Sequence, residues 1–294
     1  MKVHLNGELI AADEARVSPF DAGYLYGDGL FDTLRSYRGF LYLLAEHVQR
    51  LAREAELLQI PFDPSPGTWD HLIGEVLQAN DLKDTDARVR IQISRGGGPH
   101  TDQVSVDPEQ MQPVVFIVAT EVSKEVSSLQ ERGARILSMQ SAFARGNFPQ
   151  IKSLNYLPSI MALRFARARG FDEACLLNRQ NKVLECATSN IFLLKGKVLR
   201  TPSRRLGILP GITRGRILQL AAQEGLKVEE AASELRDLVT ADEVFLTGSV
   251  KEITPVVGLD EGPVTRGKAG EWTRRLQKAY REDIELTRGA QAAG

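Results

Sequence analysis

Two residues of this chain have the types and settings for cofactor chemistry at an amine. Lys152 stands in Ile151-Lys152-Ser153-Leu154-Asn155-Tyr156, and Glu185 closes the apolar run Val183-Leu184. A lysine amine attacks an aldehyde only when neutral, a state proteins reach by desolvation and cationic neighbours. A carboxylate held against a pyridine nitrogen keeps that nitrogen protonated, so that the ring can draw electrons. The pair therefore fits the two ends of pyridoxal 5'-phosphate. Taken singly, each has a plainer reading, a solvated lysine and an exposed strand-end carboxylate. The weight comes from what else stands in order along the chain.

A phosphorylated cofactor needs an anion site, and a helix start supplies free amides together with the helix dipole. Leu209-Pro210-Gly211-Ile212-Thr213-Arg214 has this character. Gly211 permits close backbone approach, the amides of Ile212 and Thr213 would face the phosphate, and the Thr213 hydroxyl adds a donor. Thr213 as a simple helix cap is the competing reading. Thr247-Gly248-Ser249 is a second glycine-centred turn that could complete the cage, and Arg50 could add positive charge, unless it is only an exposed helix arginine.

The elements that must position these groups follow from periodicity. Val3 to Leu9 alternates about Asn6-Gly7, a hairpin signal. Leu34 and Ser36 alternate with Arg35 and Tyr37, a strand returning through Arg38-Gly39 to Phe40-Leu41-Tyr42. Glu46 to Leu58 has apolar residues at Val48, Leu51, Ala55 and Leu58, a helical stripe ended by Pro61. Thr68 to Asn80 predicts a second helix. Ala87 to Ser94 sets Val89, Ile91 and Ile93 against Arg88, Arg90 and Gln92, a half-buried strand, followed by a flexible loop, Arg95-Gly-Gly-Gly-Pro99-His100. Val114 to Ala119 is an apolar strand. Beyond it, helices are expected over Ser159 to Arg169, Ile212 to Glu224 and Gly270 to Tyr280, among strands that come in hairpins. That pattern disfavours a doubly wound sheet. The fold class is α+β: a small N-terminal domain over 1–119, a polar linker over 120–131, and a larger, mostly antiparallel C-terminal domain over 132–294.

The 294 residues suffice for two domains, and 37 basic against 38 acidic side chains argue against a nucleic-acid binder driven by bulk charge. The two cysteines, Cys175 and Cys186, lack metal-ligand spacing, so neither a metal site nor a disulfide framework is expected, and a reducing cytoplasm is the default. Cys175, inside an apolar run, reads as core. No apolar stretch approaches the roughly 18 residues that span a bilayer.

The motif order Tyr26-Gly-Asp-Gly-Leu-Phe31-Asp-Thr33-Leu-Arg35, Glu46-His47-x-x-Arg50-Leu51, Ile151 to Tyr156, Glu185-x-x-x-Ser189-Asn190-Ile-Phe, Leu209 to Arg214, and Thr247-Gly248-Ser249-x-x-Glu252 resembles the fold-type IV (class IV) pyridoxal-phosphate enzymes. These comprise branched-chain aminotransferases, D-amino-acid aminotransferases and aminodeoxychorismate lyases. The resemblance implies a homodimer with an active site between a small and a large domain. It implies that Lys152 bonds the cofactor and moves the proton, that Glu185 holds the pyridine nitrogen, and that Tyr156 bonds the phenolate oxygen. Arg50, Ile212, Thr213 and Ser249 would hold the phosphate with Ser189, Asn190, Gly211 and Gly248 around them, and Leu209 would pack on the ring. Tyr26, Phe31, Thr33, Arg35 and Arg95 would line the substrate pocket. Thr33 stands where branched-chain aminotransferases usually have glycine. The Arg-x-His carboxylate trap of D-amino-acid aminotransferases is absent, whereas Glu185-Cys186 is a pairing common in the lyases. The implied activity is a ping-pong transamination between an aliphatic L-amino acid and a 2-oxo acid such as 2-oxoglutarate. Conversion of aminodeoxychorismate to 4-aminobenzoate and pyruvate, or transamination of D-amino acids, are the alternatives within the family. A binding protein without cofactor is the alternative outside it.

Overall fold

The computed structural model describes residues 1–97, 112–140 and 150–293. The chain forms two compact units: Met1–Val122 with Ile151–Asn155, and Ser123–Gln150 with Tyr156–Gly294.

In the first unit, Lys2–Leu5 (β1) and Glu8–Ala11 (β2) form the hairpin that Asn6-Gly7 predicts, both turn residues having positive φ. A short helix, Ala22–Tyr26 (α1), follows, with Asp21 accepting the Tyr24 N–H as its cap. Sequence alone predicts a loop over Ser18 to Gly23, and the helix begins inside it. Gly29–Tyr37 (β3), Phe40–Leu41 (β4), Leu44–Leu58 (α2), Pro66–Ala79 (α3), Asp86–Ser94 (β5) and Val114–Glu121 (β6) complete the unit. The sheet is antiparallel in the order β2-β1-β6-β5-β3-β4. One face of the sheet carries Leu30, Leu34, Val89, Ile91, Ile93, Ile117 and Ala119, which pack with Val48, Leu51 and Ala55 of α2 and Ile73, Val76 and Leu77 of α3 into a single apolar core. Strand alternation puts Phe31, Thr33 and Arg35 on the opposite face, with Arg90 and Gln92 beside them in register.

The second unit opens with Lys124–Arg132 (α4), inside the segment expected to be a linker. Residues 120–131 instead hold the end of β6 and most of this helix. Ser123 accepts the Glu125 N–H as an N-cap, while only Leu129 and Gln130 of α4 are buried, so the helix has too little apolar stripe to stand out in the sequence. Ala134–Gln140 (β7), Leu157–Arg167 (α5), Glu173–Leu177 (β8), Val183–Cys186 (β9), Asn190–Lys195 (β10), Val198–Thr201 (β11), Ile212–Gln223 (α6), Lys227–Glu230 (β12), Leu235–Val239 (α7), Glu243–Gly248 (β13), Glu252–Leu259 (β14), Gly262–Pro263 (β15) and Glu271–Ala293 (α8) follow. The sheet order is β12-β11-β10-β13-β14-β7-β8-β9, with β15 on β14. Its pairings are mostly antiparallel. The parallel ones are β11 with β12, β14 with β7, and β7 with β8. Helix α8 runs beyond the predicted end at Tyr280 because Ile284, also buried, continues the stripe of Leu276 and Tyr280 through otherwise charged, helix-favouring residues. Cys175 and Cys186 are buried in the core and face each other across β8 and β9.

Candidate active site

In the first unit, Lys152 lies on a short extended segment that docks along β3. Phe31 N–H donates to Lys152 O (2.9 Å), Leu154 N–H donates to Gly29 O (3.0 Å), and Leu30 bridges Ser153. The glycine at 29 permits this approach: a Cβ there would fall 2.4 Å from Ile93 O and 2.7 Å from a Leu154 methyl. The outward Lys152 N–H finds no strand. It donates instead to Glu54 Oε2 of α2 (3.0 Å). Lys152 Nζ sits 4.4 Å from the centre of the Phe31 ring, and the Arg90 guanidinium sits 3.9 Å from the same ring.

Beneath this segment α2 inserts His47, Arg50 and Glu54, all buried at helical spacing on the face it turns to the sheet. Arg50 donates to both oxygens of Asp32 (Nε to Oδ2 3.0 Å, Nη2 to Oδ1 2.5 Å). His47 Nδ1 approaches Asp32 Oδ1 at 3.2 Å. Burial alone would raise the pKa of the fully enclosed Asp32; the Arg50 and His47 charges reverse this and hold it well below the usual carboxylate range. Glu54 goes the other way. Burial pushes its carboxyl up to about 7 against the opposing pull of Arg50 and the Lys152 N–H, with Asp32 reinforcing the rise.

The expected substrate residues of this unit fall into separate groups. Phe31 is next to the lysine amine, and Thr33 lies on the same sheet face, opposite Arg90. Tyr26 ends α1, half exposed. Arg35 pairs with Asp86 at 2.7 Å and stacks on Tyr37. Arg95 pairs with Asp28 at 2.7 Å and donates to the carbonyls of Leu58 and Gln59. Residues 98–100 of the expected flexible loop lie outside the described residues. Arg90, whose guanidinium shares the Phe31 ring with the lysine amine, is a neighbour that sequence reasoning misses. Its one signal is membership of the polar side of an alternating strand, which any solvated arginine shares.

In the second unit, the expected cofactor residues converge on Asn190. Its Nδ2 donates to Glu185 Oε2 (3.3 Å) and to Leu209 O (3.0 Å), while Leu209 N–H also donates to Glu185 Oε2 (3.2 Å). Glu185 is thus a buried carboxylate oriented by two donors. A Cβ on Gly211 would stand 2.0 Å from Asn190 Oδ1, so the backbone there lies against the asparagine. Gly211 is the N-cap of α6 and offers no side chain to the first amides of the helix, those of Ile212 and Thr213 among them. Asn190 pairs directly with Thr247 across β10 and β13, so both side chains share one face, and the buried Thr247 hydroxyl has no partner. Ser189 and Gly248 come together: a Cβ on Gly248 would be 4.0 Å from Ser189 Oγ. Ser249 follows in the turn after β13. Below both turns the buried Glu173 accepts from Lys251 Nζ (3.0 Å) and Thr188 Oγ1 (2.5 Å). Tyr156 donates its hydroxyl to Ala187 O at 3.0 Å.

This arrangement fits pyridoxal phosphate on its own terms. A helix start with no side-chain cap, an unpartnered hydroxyl and a glycine without room for a side chain are features an anion site can use, and the same unit holds a buried carboxylate fixed by two donors. Among the described residues no cluster of histidine, cysteine or carboxylate side chains could hold a metal ion. No helix there is long and apolar enough to cross a membrane.

The site defines a class before it defines a substrate. The family model for class IV amino-transferases matches residues 29–259, and the chain belongs to that family. It is a pyridoxal-phosphate-dependent aminotransferase of fold type IV. Similar curated proteins include a putative branched-chain-amino-acid aminotransferase of Methanocaldococcus jannaschii (36% identity, 96% of each chain covered). Another is an aminodeoxychorismate lyase of Bacillus subtilis (36%, covering 96% of this chain and 94% of that one). A third is a D-alanine aminotransferase of Listeria innocua (33%, 97% and 96%). Among solved structures, the branched-chain aminotransferase of Thermoproteus uzoniensis with norvaline superposes with a TM-score of 0.85 at 31% identity, covering 97% of this chain and 94% of that one. The branched-chain amino acid aminotransferase of Escherichia coli gives 0.84 at 29%, covering 95% and 92%.

Proposed function

We propose that this enzyme transfers the amino group of an aliphatic L-amino acid to 2-oxoglutarate in two half-reactions. The cofactor, when bound, supplies the electron sink that makes the substrate Cα proton removable. The chain's own residues supply the rest. Lys152 Nζ binds the cofactor and carries the proton. Glu185 keeps the ring nitrogen protonated. Tyr156 holds the phenolate oxygen, and Leu209 packs on the ring. Arg50, Ile212, Thr213 and Ser249 hold the phosphate, with Ser189, Asn190, Gly211 and Gly248 shaping the space around it.

One observation supports an acidic acceptor above all: the Lys152 amine and the Arg90 guanidinium share the Phe31 ring, at 4.4 and 3.9 Å from its centre. A guanidinium on the same ring as the reacting amine suits a substrate carrying a carboxylate. Phe31 and Thr33 give that face its apolar and hydroxyl surface. A homodimer is supported by α5, where Leu157, Met161 and Phe165 are exposed at four-residue spacing as an apolar stripe. A cytoplasmic location is supported by the two cysteines, both unbridged and buried.

Half-reactions test this reading. Leucine or glutamate, added to the loaded enzyme without acceptor, should convert the bound cofactor to its amine form, followed by absorbance. A second reading, cleavage of aminodeoxychorismate, is favoured by the Glu185-Cys186 pair and by the likeness to the Bacillus lyase. Release of 4-aminobenzoate, with no amine form from either amino acid, would replace the first reading with the second.

A further inference from the structure

The lysine segment has an unusual anchor. Lys152 is held on one side by main chain, where its carbonyl accepts the Phe31 N–H at 2.9 Å. On the other side its N–H goes to one carboxylate oxygen, Glu54 Oε2, at 3.0 Å, across a separation of 98 residues in sequence. Glu54 is only 4% exposed, and its second oxygen, Oε1, is buried with no hydrogen-bond partner. A buried carboxylate with one oxygen unsatisfied is a costly choice for a merely structural contact, because a neutral acceptor would take the same N–H without burying charge.

The surroundings show what the charge can do. The ionisable groups facing Glu54 are Arg50 on its own helix, Asp32 on β3, and Lys152. His47, one further turn back on α2, touches the same Asp32. Arg50 is already engaged by both oxygens of Asp32, so it favours the Glu54 carboxylate less than an uncommitted cation would. Burial dominates the balance and lifts the Glu54 carboxyl to about 7. Its proton therefore comes and goes where an enzyme works.

We propose that Glu54 is a positioning residue for Lys152: its carboxylate locks the backbone of the cofactor-binding lysine, and protonation loosens that lock. The proposal rests on the reading of Lys152 as the cofactor lysine, but its direct readout does not. A charge-assisted hydrogen bond is roughly twice as strong as a neutral one. For local openings that break this bond while Glu54 stays buried, the exchange protection of the Lys152 amide, corrected for intrinsic rate, should then rise about fivefold between pH 6 and pH 8, with a midpoint near 7, even though global stability falls over the same range. The measurement is hydrogen exchange on the full chain, with and without pyridoxal phosphate.

Glu54→Gln keeps an acceptor and removes the titration. It should show low protection at both pH values, and its pH profile of kcat/KM should lack the inflection near neutrality expected of the parent. Glu54→Leu, without any acceptor, should show the least protection. A parent protein whose Lys152 protection is the same at pH 6 and pH 8 overturns the proposal without recourse to any variant. A Glu54→Gln protein that keeps the step also overturns it. Borohydride reduction of the loaded enzyme, followed by peptide mapping, separates the two ideas. A tag on another lysine would remove Lys152 from the cofactor while leaving the exchange step at its amide to be judged by itself.

Discussion

The two units hold their parts of the chemistry by opposite means. Around Lys152, the first unit uses ionisable side chains: Asp32, His47, Arg50 and Glu54 are all buried, and three of them come from one helix. Around Glu185, the second unit uses amides and main chain: Asn190, the Leu209 N–H, the start of α6, and glycines that let the backbone close in. Buried charges can be retuned by a proton but depend on every partner being present. Neutral donors ignore pH over the working range but tolerate little change in shape. The amine end should therefore be electrically sensitive and the opposite end sterically sensitive.

The largest effect tests the amine end directly. Lys152→Ala should lower kcat by a factor on the order of 10⁵ while cofactor still binds, as seen by equilibrium dialysis, because the proposed phosphate donors are other residues. Near-parental turnover would remove the lysine from the mechanism. Next is Asp32→Asn, which leaves the buried Arg50 without its counter-charge. Loss of one partner from a buried pair costs about 3–5 kcal/mol, read as a lowered urea midpoint at pH 7. A change under about 1 kcal/mol would mean that the pair is well solvated and that the two units differ less than the geometry states.

Glu54 gives the comparison a pH axis. Its folded pKa of about 7 lies above the ordinary 4.5. Between those values the folded chain binds more protons than the unfolded one, so stability falls as pH rises through this window. The contribution is fully present below about 4.5 and gone above about 7. Glu54→Gln imitates the protonated form at every pH. It should therefore match the parent near pH 4.5 and exceed it at pH 8 by about 3 kcal/mol, in parallel urea titrations. Equal stability at pH 8 would show that the carboxylate is buried without penalty.

These contrasts also mark what is legible in the sequence. Glu185, Gly211 and Thr213 stand out because a carboxylate after an apolar run and a glycine before a helix are local patterns. Helix α2 and strand β5 are legible through period alone. The role of Glu54 is not: it reads as one more polar residue on an amphipathic helix, and its partner is 98 residues away. Asp32 sits on the helix-facing side of β3 among Leu30 and Leu34, where alternation predicts an apolar residue, and only its contacts with Arg50 and His47 explain it. Helix α4 reads as linker because its few buried positions leave no stripe to detect.

The smallest effect belongs to the steric end and is the cleanest test of its kind. In Gly211→Ala the new Cβ would meet Asn190 Oδ1 at 2.0 Å, well inside contact distance. Asn190 must then move, and it cannot do so without stretching the bonds that orient Glu185 and fix Leu209. Overpacking of this kind costs about 1–3 kcal/mol. The loss is read as a lowered urea midpoint at pH 7. The phosphate end should suffer in step, with weaker binding of pyridoxal phosphate in a dialysis assay. A protein as stable as the parent, with unchanged cofactor affinity, would show that the asparagine has room to yield and that close backbone approach at Gly211 is not what shapes the site.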